Sequence, residues 1–397
     1  MVYLGGSKDN KPIKELNKNK IIKISIAIFL VTLFICFAFL YEKNKAFKNF
    51  FDVYIFRKVV NEEKVPFIEI DSTKNINIFA YDRFITVLDQ HVLKLYNKSG
   101  NEEHSLDIEI SNPLFEAKGN YLCIAEKGGQ KLYLISNKNI VWQKEIEGNI
   151  SAINVNKNGY ISVIISGTSY KTVIQTFDSK GDELFKTYLS STNVIDTDIS
   201  NDNKYLAIAE ANFSGIVVQS SIKMISIEDA KNNSADSIKY THLAKANDLI
   251  INIKYNTKND LVCMYDEHID LLKGEENTQL INLTDEKVIF ADINLSSKVT
   301  EILNNSDGIL NTSAQIKLIN SNNTEDINTY EIENIPKNMY VQDNMIAVNL
   351  GTCVLFINDK GWLVKKYESN REEIQNVVMC NEIAGIICKN KINIISL

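Results

Sequence analysis

Three aspartates close together in the chain, Asp196, Asp198 and Asp202, are the residues whose type and spacing most suggest chemistry. Carboxylates at short intervals bind Ca²⁺, and a calcium loop normally reads D-x-D-x-D-G with a glutamate further on. The stretch here reads "DTDISNDNKYLAIAE" and lacks that pattern. Asp and Asn commonly cap backbone N–H groups in tight turns. We therefore predict turn residues and no metal site.

The histidines and cysteines form no catalytic or metal-binding pattern either. None of the four histidines stands in H-E-x-x-H or beside a cysteine: His91, His104, His242 and His268. The six cysteines lie in or beside apolar segments without a C-x-x-C pair, which predicts buried small hydrophobic residues. Cys380 and Cys388 could lie on neighbouring strands, and their pairing stays open.

Other catalytic motifs are also missing. The sequence has no G-x-S-x-G, the turn that presents a nucleophilic serine. It also has no G-x-x-x-x-G-K-[ST] or G-x-G-x-x-G, the loops that hold phosphate groups. We therefore predict no catalytic residues, no cofactor and no bound metal.

Charge is divided unevenly along the chain. Residues 1–60 carry eleven Lys and Arg against four Asp and Glu, so a net charge of −7 for the whole chain leaves −14 on the remainder. Nucleic-acid-binding surfaces need clusters or stripes of Lys and Arg. An acidic body of this kind excludes nucleic acid as a partner.

A long apolar run near the N-terminus predicts a membrane anchor. Ile24 to Tyr41 contain no charged residue, and about 20 apolar residues span a bilayer as a helix. A cleaved signal peptide would have a shorter apolar core and small residues at the cleavage site. We predict a cytoplasmic tail over 1–20, a transmembrane helix over 21–41 and an extracytoplasmic body. The flanks carry six and five Lys and Arg, so the reverse orientation stays open.

Residues 42–61 are predicted to form a juxtamembrane helical stalk. Their aromatic residues recur at helical spacing and share one face: Phe47, Phe50, Phe51 and Tyr54. With lysines nearby, such a face suits the headgroup region of a bilayer. A short helix packed on the following domain is the alternative.

Two recurring phrases indicate the architecture of residues 62–397. The first is a strand, a polar turn and a strand apolar on both faces, as in "EAKGNYLCIAEK" and "ISNDNKYLAIAE". The second is a hairpin with a tight turn, as in "TFDSKGDELFKTY" and "FINDKGWLVKKY". The hairpin turn residues Gly100, Asn139 and Gly181 are 39 and 42 positions apart. Two hairpins per repeat make four strands, which is typical of a β-propeller.

We therefore predict an all-β fold, a propeller of four-stranded blades. Its seven complete units are 75–113, 114–149, 150–193, 194–248, 249–290, 291–335 and 336–374. Within the fourth unit, Lys231 to Lys239 are predicted to extend a loop. The remainder, 375–397, holds three strands, and Val65–Ile70 is predicted to pair antiparallel with Lys391–Leu397 as the fourth. That closure gives eight blades, and seven is the alternative.

These phrases, with the preceding anchor, resemble a known family. The carriers are "LKLYNKSGNE", "VWQKEIEGNISAINVNKNGYISVI" and "IQTFDSKGDELFKTYLSSTNVIDTDISNDNKYLAIAE". They resemble the membrane-anchored extracytoplasmic propellers of low-GC Gram-positive bacteria catalogued as domain of unknown function 5711, PQQ-like and WD40-like in pattern. The resemblance covers nearly the whole chain and implies no catalytic residues. PQQ enzymes carry recurrent docking tryptophans and adjacent cysteines, whereas this chain has only Trp142 and Trp362 and no adjacent cysteines.

A rigid ring with no catalytic set is best suited to binding. We predict a non-catalytic, membrane-tethered propeller that acts as a protein-interaction or scaffold module at the cell envelope, with an envelope protein as partner. One alternative is a sensor of a small ligand in the propeller channel. The others are a PQQ-like quinoprotein-type enzyme and a purely structural spacer.

Overall fold

The computed structural model describes residues 18–44, 47, 51, 55, 60–61, 65–232, 237–306, 312–369, 372–380 and 382–397. The chain divides into two compact units, Met1–Lys58 and Val59–Leu397.

The first unit contains one long helix, α1, over Lys18–Lys43. Its segment Ile22–Lys43 has a mean hydropathy of 2.7 and is long and apolar enough to cross a membrane. The predicted helix over 21–41 is therefore confirmed as a helix, and it extends a few residues further at both ends. Phe37 packs against Phe47 and Phe51, with ring centroids 5.5 and 4.6 Å away. Phe50, Tyr54 and most of the predicted stalk, like residues 1–17 of the predicted tail, lie outside the described residues.

The second unit is a ring of eight sheets, as far as the described residues show, and each sheet contains four antiparallel strands. Seven of these sheets have their four strands in hairpin order, and the last takes its outer strand from the start of the unit. We number the sheets as blades 1 to 8 in chain order. Blades 1 and 2 consist of Ile76–Tyr81, Phe84–Asp89, Val92–Tyr96, Glu102–Asp107 and Pro113–Lys118, Tyr121–Glu126, Lys131–Ser136, Asn139–Glu145. Blades 3 and 4 consist of Asn149–Val155, Ile161–Ser166, Thr172–Phe177, Glu183–Leu189 and Asn193–Ile199, Tyr205–Asn212, Gln219–Ser226, Ile238–Leu243.

The other four blades repeat this order. Blades 5 and 6 consist of Ile250–Tyr255, Leu261–Tyr265, His268–Lys273, Glu276–Asn282 and Val288–Asp292, Lys298–Asn304, Ala314–Asn320, Asn323–Ile332. Blades 7 and 8 consist of Asn338–Gln342, Met345–Asn349, Cys353–Asn358, Leu363–Glu368 and Asn376–Cys380, Ile383–Ile387, Lys391–Ser396, Phe67–Glu69. The predicted fold and all seven complete units are therefore confirmed, with boundaries that differ by a few residues.

The first strand of each blade lies innermost, since first strands of neighbouring blades contact one another and blade 8 contacts blade 1. The second and third strands are apolar on both faces because each is covered by a blade on either side. Every one of the eight blade-to-blade interfaces has its own buried apolar cluster, including blade 8 on blade 1 and blade 5 on blade 6. The hydrophobic core is thus a circle of eight separate contacts.

Strand Phe67–Glu69 closes this circle as predicted. It pairs antiparallel with the third strand of blade 8, with Ile68 opposite Ile392. The Ile68 side chain is 5% exposed and belongs to the cluster between blades 8 and 1, whereas Phe67 on the opposite face is 52% exposed. Pro66 lacks an N–H but accepts a hydrogen bond at its carbonyl from Ile394, 2.8 Å away.

Two details differ from the expectation. Val60–Asn61 forms a short fifth strand parallel to the outer strand of blade 7. Two residues form no sequence pattern from which this pairing could be predicted. Part of the predicted loop Lys231–Lys239 is helical, because helix α2 covers Ile227–Asn232 and buries Ile227 and Ala230. Residues 233–236 of that loop lie outside the described residues.

The repeated phrases are turns that serve two purposes. In the second phrase, the Asp178 carboxylate accepts hydrogen bonds from the N–H groups of Lys180 and Asp182. In the first phrase, the Asn156 Oδ1 accepts in the same way, while its Nδ2 donates to the Ser200 carbonyl in the next blade. These side chains fix each turn and also join neighbouring blades.

Candidate functional site

A central cavity of about 410 Å³ lies where the inner strands meet. It is lined by inner-strand residues or adjoining turn residues from blades 1 to 7. Among those that carry charge or unpaired polar atoms are Glu116, Lys118, Asn154, Asp196, Asp198 and Lys254. The inner strands are more polar than the second and third strands, because they face this channel.

Two of the three aspartates singled out from the sequence connect blade 4 to blade 5. The Asp196 carboxylate accepts hydrogen bonds from the N–H groups of Thr197 and Ile253, at 2.8 and 3.0 Å. The Asp198 carboxylate accepts from Ile199 and Tyr255, at 3.0 and 2.6 Å. Each carboxylate therefore uses both oxygens to hold two inner strands together. Burial raises the pKa of Asp196 to about 7 and also raises the pKa of Asp198.

Two lysines stand opposite these acids. The Lys254 Nζ donates to the carbonyl and to the Oδ1 of Asn294, at 3.0 and 2.9 Å. Burial, together with the nearby Lys118 ammonium, holds the pKa of Lys254 well below its usual range. The Lys118 Nζ lies 4.0 Å from an oxygen of Asp343. Both lysines thus have partners within the channel.

Two other acceptors that line the channel, the Glu116 carboxylate and the Asn154 Oδ1, have fewer hydrogen-bond partners. Burial raises the pKa of Glu116, although Lys118 and Lys254 oppose the rise. The half-buried Glu116 carboxylate receives no hydrogen bond from any described residue, and the buried Oδ1 of Asn154 likewise has no partner among them. Sequence reasoning missed Glu116 and Lys254, because a single charged residue in a polar inner strand carries no motif.

The model of a family of unknown function, DUF5711, matches residues 56–397. The chain belongs to this family. The resemblance drawn from the repeated phrases is therefore confirmed for this DUF5711 protein, and the match covers the whole propeller.

No curated protein sequence matches the chain. Solved structures similar to it include BamB from Moraxella catarrhalis, 13% identical, covering 84% of this chain and 99% of that one with a TM-score of 0.47. Sqt1 from Chaetomium thermophilum is 8% identical, and the match covers 84% of this chain and 99% of that one with a TM-score of 0.49. The dihydro-heme d1 dehydrogenase NirN is 10% identical, and the match covers 84% of this chain and 76% of that one with a TM-score of 0.47. Both a named enzyme and proteins without an enzyme name occur among these structures.

The other residues considered from the sequence lie apart from the channel of this DUF5711 member. Asp202 accepts a hydrogen bond from the Ser200 hydroxyl within its own turn, at 2.7 Å. His268 stacks on Tyr265, and its Nε2 lies 3.3 Å from an oxygen of Asp270. Within the described residues, no group of three or more His, Cys, Asp or Glu could hold a metal ion.

The cysteines and tryptophans have structural surroundings. The described residues contain no disulfide, and four of the six cysteines are buried, among them Cys380 and Cys388. Trp142 lies in the outer strand of blade 2, and its Nε1 donates to the Ser179 carbonyl of blade 3 at 3.3 Å. Trp362 lies immediately before the outer strand of blade 7 and is exposed.

A second feature lies on the edge of the ring that carries the blade-to-blade connections and the turns between second and third strands. On blades 3, 4 and 5 this edge exposes large apolar side chains, which we call the apolar rim surface: Tyr170, Tyr188, Phe213, Ile216, Val217, Leu243 and Ile251. Its centre is the loop from Phe213 to Val218, in which Ile216 is fully exposed. The Tyr170 and Tyr188 rings pack together at 4.7 Å.

Proposed function

We propose that this protein is a non-catalytic interaction module, held at the membrane by helix α1, with the propeller outside the cytoplasm and bound to an envelope protein. The apolar rim surface carries the proposal. Residues 211–222 contain no charge, and they expose Phe213, Ile216 and Val217 where a water-facing turn would ordinarily be polar. None of these three side chains belongs to a blade-to-blade cluster, so the stability of the ring does not account for them.

The composition of this surface suits a protein partner. Interface centres are depleted in charge and enriched in aromatic residues, with a polar border. The rim combines aliphatic side chains of blade 4 with the Tyr170–Tyr188 pair of blade 3. Lys171 and Lys245 occur in the turn of blade 3 and in the connection after blade 4. A patch of exposed apolar side chains commonly marks an interaction site. The partner we propose therefore presents an apolar segment to this rim.

Site-specific photocrosslinking of the full chain in its own membranes tests the proposal. A crosslinker at Ile216 should give one discrete protein adduct, and Phe213→Ser or Val217→Ser should remove it. A crosslinker at Trp362, which is 56% exposed in a turn on the opposite edge, is the matched control and should not give it.

Other outcomes would overturn the proposal. The same adduct from Trp362 would show that the rim is not the contact. Lipid adducts alone from Ile216 would show that the rim meets the bilayer, and no adduct at all would leave the rim without a partner. Mass spectrometry of the adduct identifies the protein if one forms.

A further inference from the structure

We propose that the central channel binds a small organic cation with a primary ammonium or guanidinium group. This site goes beyond the interaction function and does not depend on the rim partner. It rests on the charge, the unsatisfied acceptors and the size of the cavity.

The balance of charge in the channel favours a cation. Three carboxyl groups line it, those of Glu116, Asp196 and Asp198, and Asp292 and Asp343 lie next to it. Three lysines face these five acids, Lys118, Lys157 and Lys254. Beyond residue 60 the chain carries a net charge of −14, so the field around the propeller also attracts cations. An anionic ligand would have to displace the partners that Lys118 and Lys254 already have.

Two acceptors indicate what the ligand must donate. The Glu116 carboxylate and the Asn154 Oδ1 belong to inner strands of neighbouring blades, and both residues line the cavity. Neither acceptor receives a hydrogen bond from the described residues. The Asn154 Oδ1 is buried, and a buried acceptor without a donor is unfavourable. An alkylammonium group brings three N–H donors and a positive charge for the half-buried Glu116 carboxylate. Such a group supplies the donors that these acceptors lack.

The size and walls of the site favour an organic molecule over a metal ion. Asp196 and Asp198 already use both oxygens on backbone N–H groups, and no metal-binding group of three occurs among the described residues. A cavity of 410 Å³ falls in the range of small-molecule pockets. Phe115 also lines it, 41% exposed and stacked on Phe79 at 4.3 Å, so an aromatic face is available to a cation.

Calorimetric titration of the full chain in detergent tests the site, with 1-butylamine and putrescine as probes and succinate as the anionic counterpart. The amines should bind saturably and succinate should not. Glu116→Gln keeps the shape and removes the charge, so affinity for the amines should fall roughly 10- to 100-fold, the effect of losing one hydrogen bond to a charged group. Asn154→Ala should weaken binding in the same direction.

Glu267→Gln is the matched control, because it makes the same change at an exposed carboxylate outside the channel. It should bind the amines like the wild-type chain. An equal loss in Glu267→Gln would show general charge attraction, and binding of succinate alone would show an anion site. No saturable binding of either amine by the wild-type chain would overturn the proposal, whatever the rim crosslinks show.

Discussion

The closure of the ring can be tested with one side chain and a control on the same strand. Ile68→Ala removes a buried side chain from the cluster between blades 8 and 1, whereas Phe67→Ala changes a half-exposed residue beside it. Truncation of a buried isoleucine costs about 2–5 kcal/mol of unfolding free energy, and a surface change costs within about 0.5 kcal/mol. Because both variants keep the backbone pairing, their difference reports the packing of the closing strand.

The expected size of the effect in temperature follows from the length of the propeller. At about 2.1 cal/mol/K per residue, roughly 330 residues have an unfolding entropy of ~0.7 kcal/mol/K. Ile68→Ala should therefore lower Tm by about 3–7 °C, and Phe67→Ala by less than about 1 °C. Thermal unfolding of the full chain in detergent, followed by circular dichroism, measures both.

Hydrogen exchange separates closure of the ring from fraying of one blade. If the strand closes a cooperative ring, Ile68→Ala should also speed amide exchange in Tyr205–Asn212, the second strand of blade 4 on a distant part of the ring. Equal melting of the two variants, or faster exchange confined to blade 8, would refute this reasoning. Deletion of residues 62–70 should likewise destabilise every blade.

Four other outcomes are expected. Gly181→Ala should destabilise the chain more than Gly128→Ala. Both glycines have positive φ, but a Cβ at Gly181 would lie 2.9 Å from the Trp142 ring, whereas a Cβ at Gly128 would meet open space. The difference between the two variants in urea unfolding therefore measures the cost of the clash with Trp142. The contribution of Asp196 to the unfolding free energy should fall as pH rises from 3.8 to about 7, because the folded chain keeps a proton that the unfolded chain has released. Asp196→Asn should make the unfolding free energy depend less on pH in this range, and an unchanged pH dependence would contradict the prediction. A reporter fused after Leu397 should be active outside the cytoplasm, and activity inside would reverse the proposed orientation. Neither PQQ nor Ca²⁺ should raise Tm, although a ligand at 100 times its Kd would add ~2.7 kcal/mol; a saturable shift would contradict the non-catalytic proposal.

Most of the fold could be predicted because its signals are local. A turn such as Asn156 to Tyr160 is specified by side chains within five residues, and repeated turns at a regular spacing imply repeated blades. The closing strand could be predicted because three strands at the C-terminal end needed a fourth. The Val60–Asn61 pairing and helix α2 were missed, since two residues make no pattern and the helix follows a strand without a break.

The channel could not be predicted in the same way. Glu116, Asn154 and Lys254 are far apart in sequence, and they line one cavity only because the ring brings their inner strands together. Asp196, Asp198 and Asp202 were all predicted to be turn residues, yet that role applies to Asp202 alone. The other two lie on an inner strand and hold the next blade, because their spacing of two residues puts both side chains on the same face of that strand.

The pairing of Ile68 with Ile392 also sets an order of events during synthesis. The two partners are separated by roughly 320 residues, which a ribosome adds in about 15–65 s at 5–20 residues per second. Throughout that time the early strand has no partner, and blade 1 lacks the neighbour that covers one of its faces. The nascent chain must therefore keep Ile68 and its surroundings from aggregating until the last blade arrives. Ring closure is consequently a late step of biogenesis.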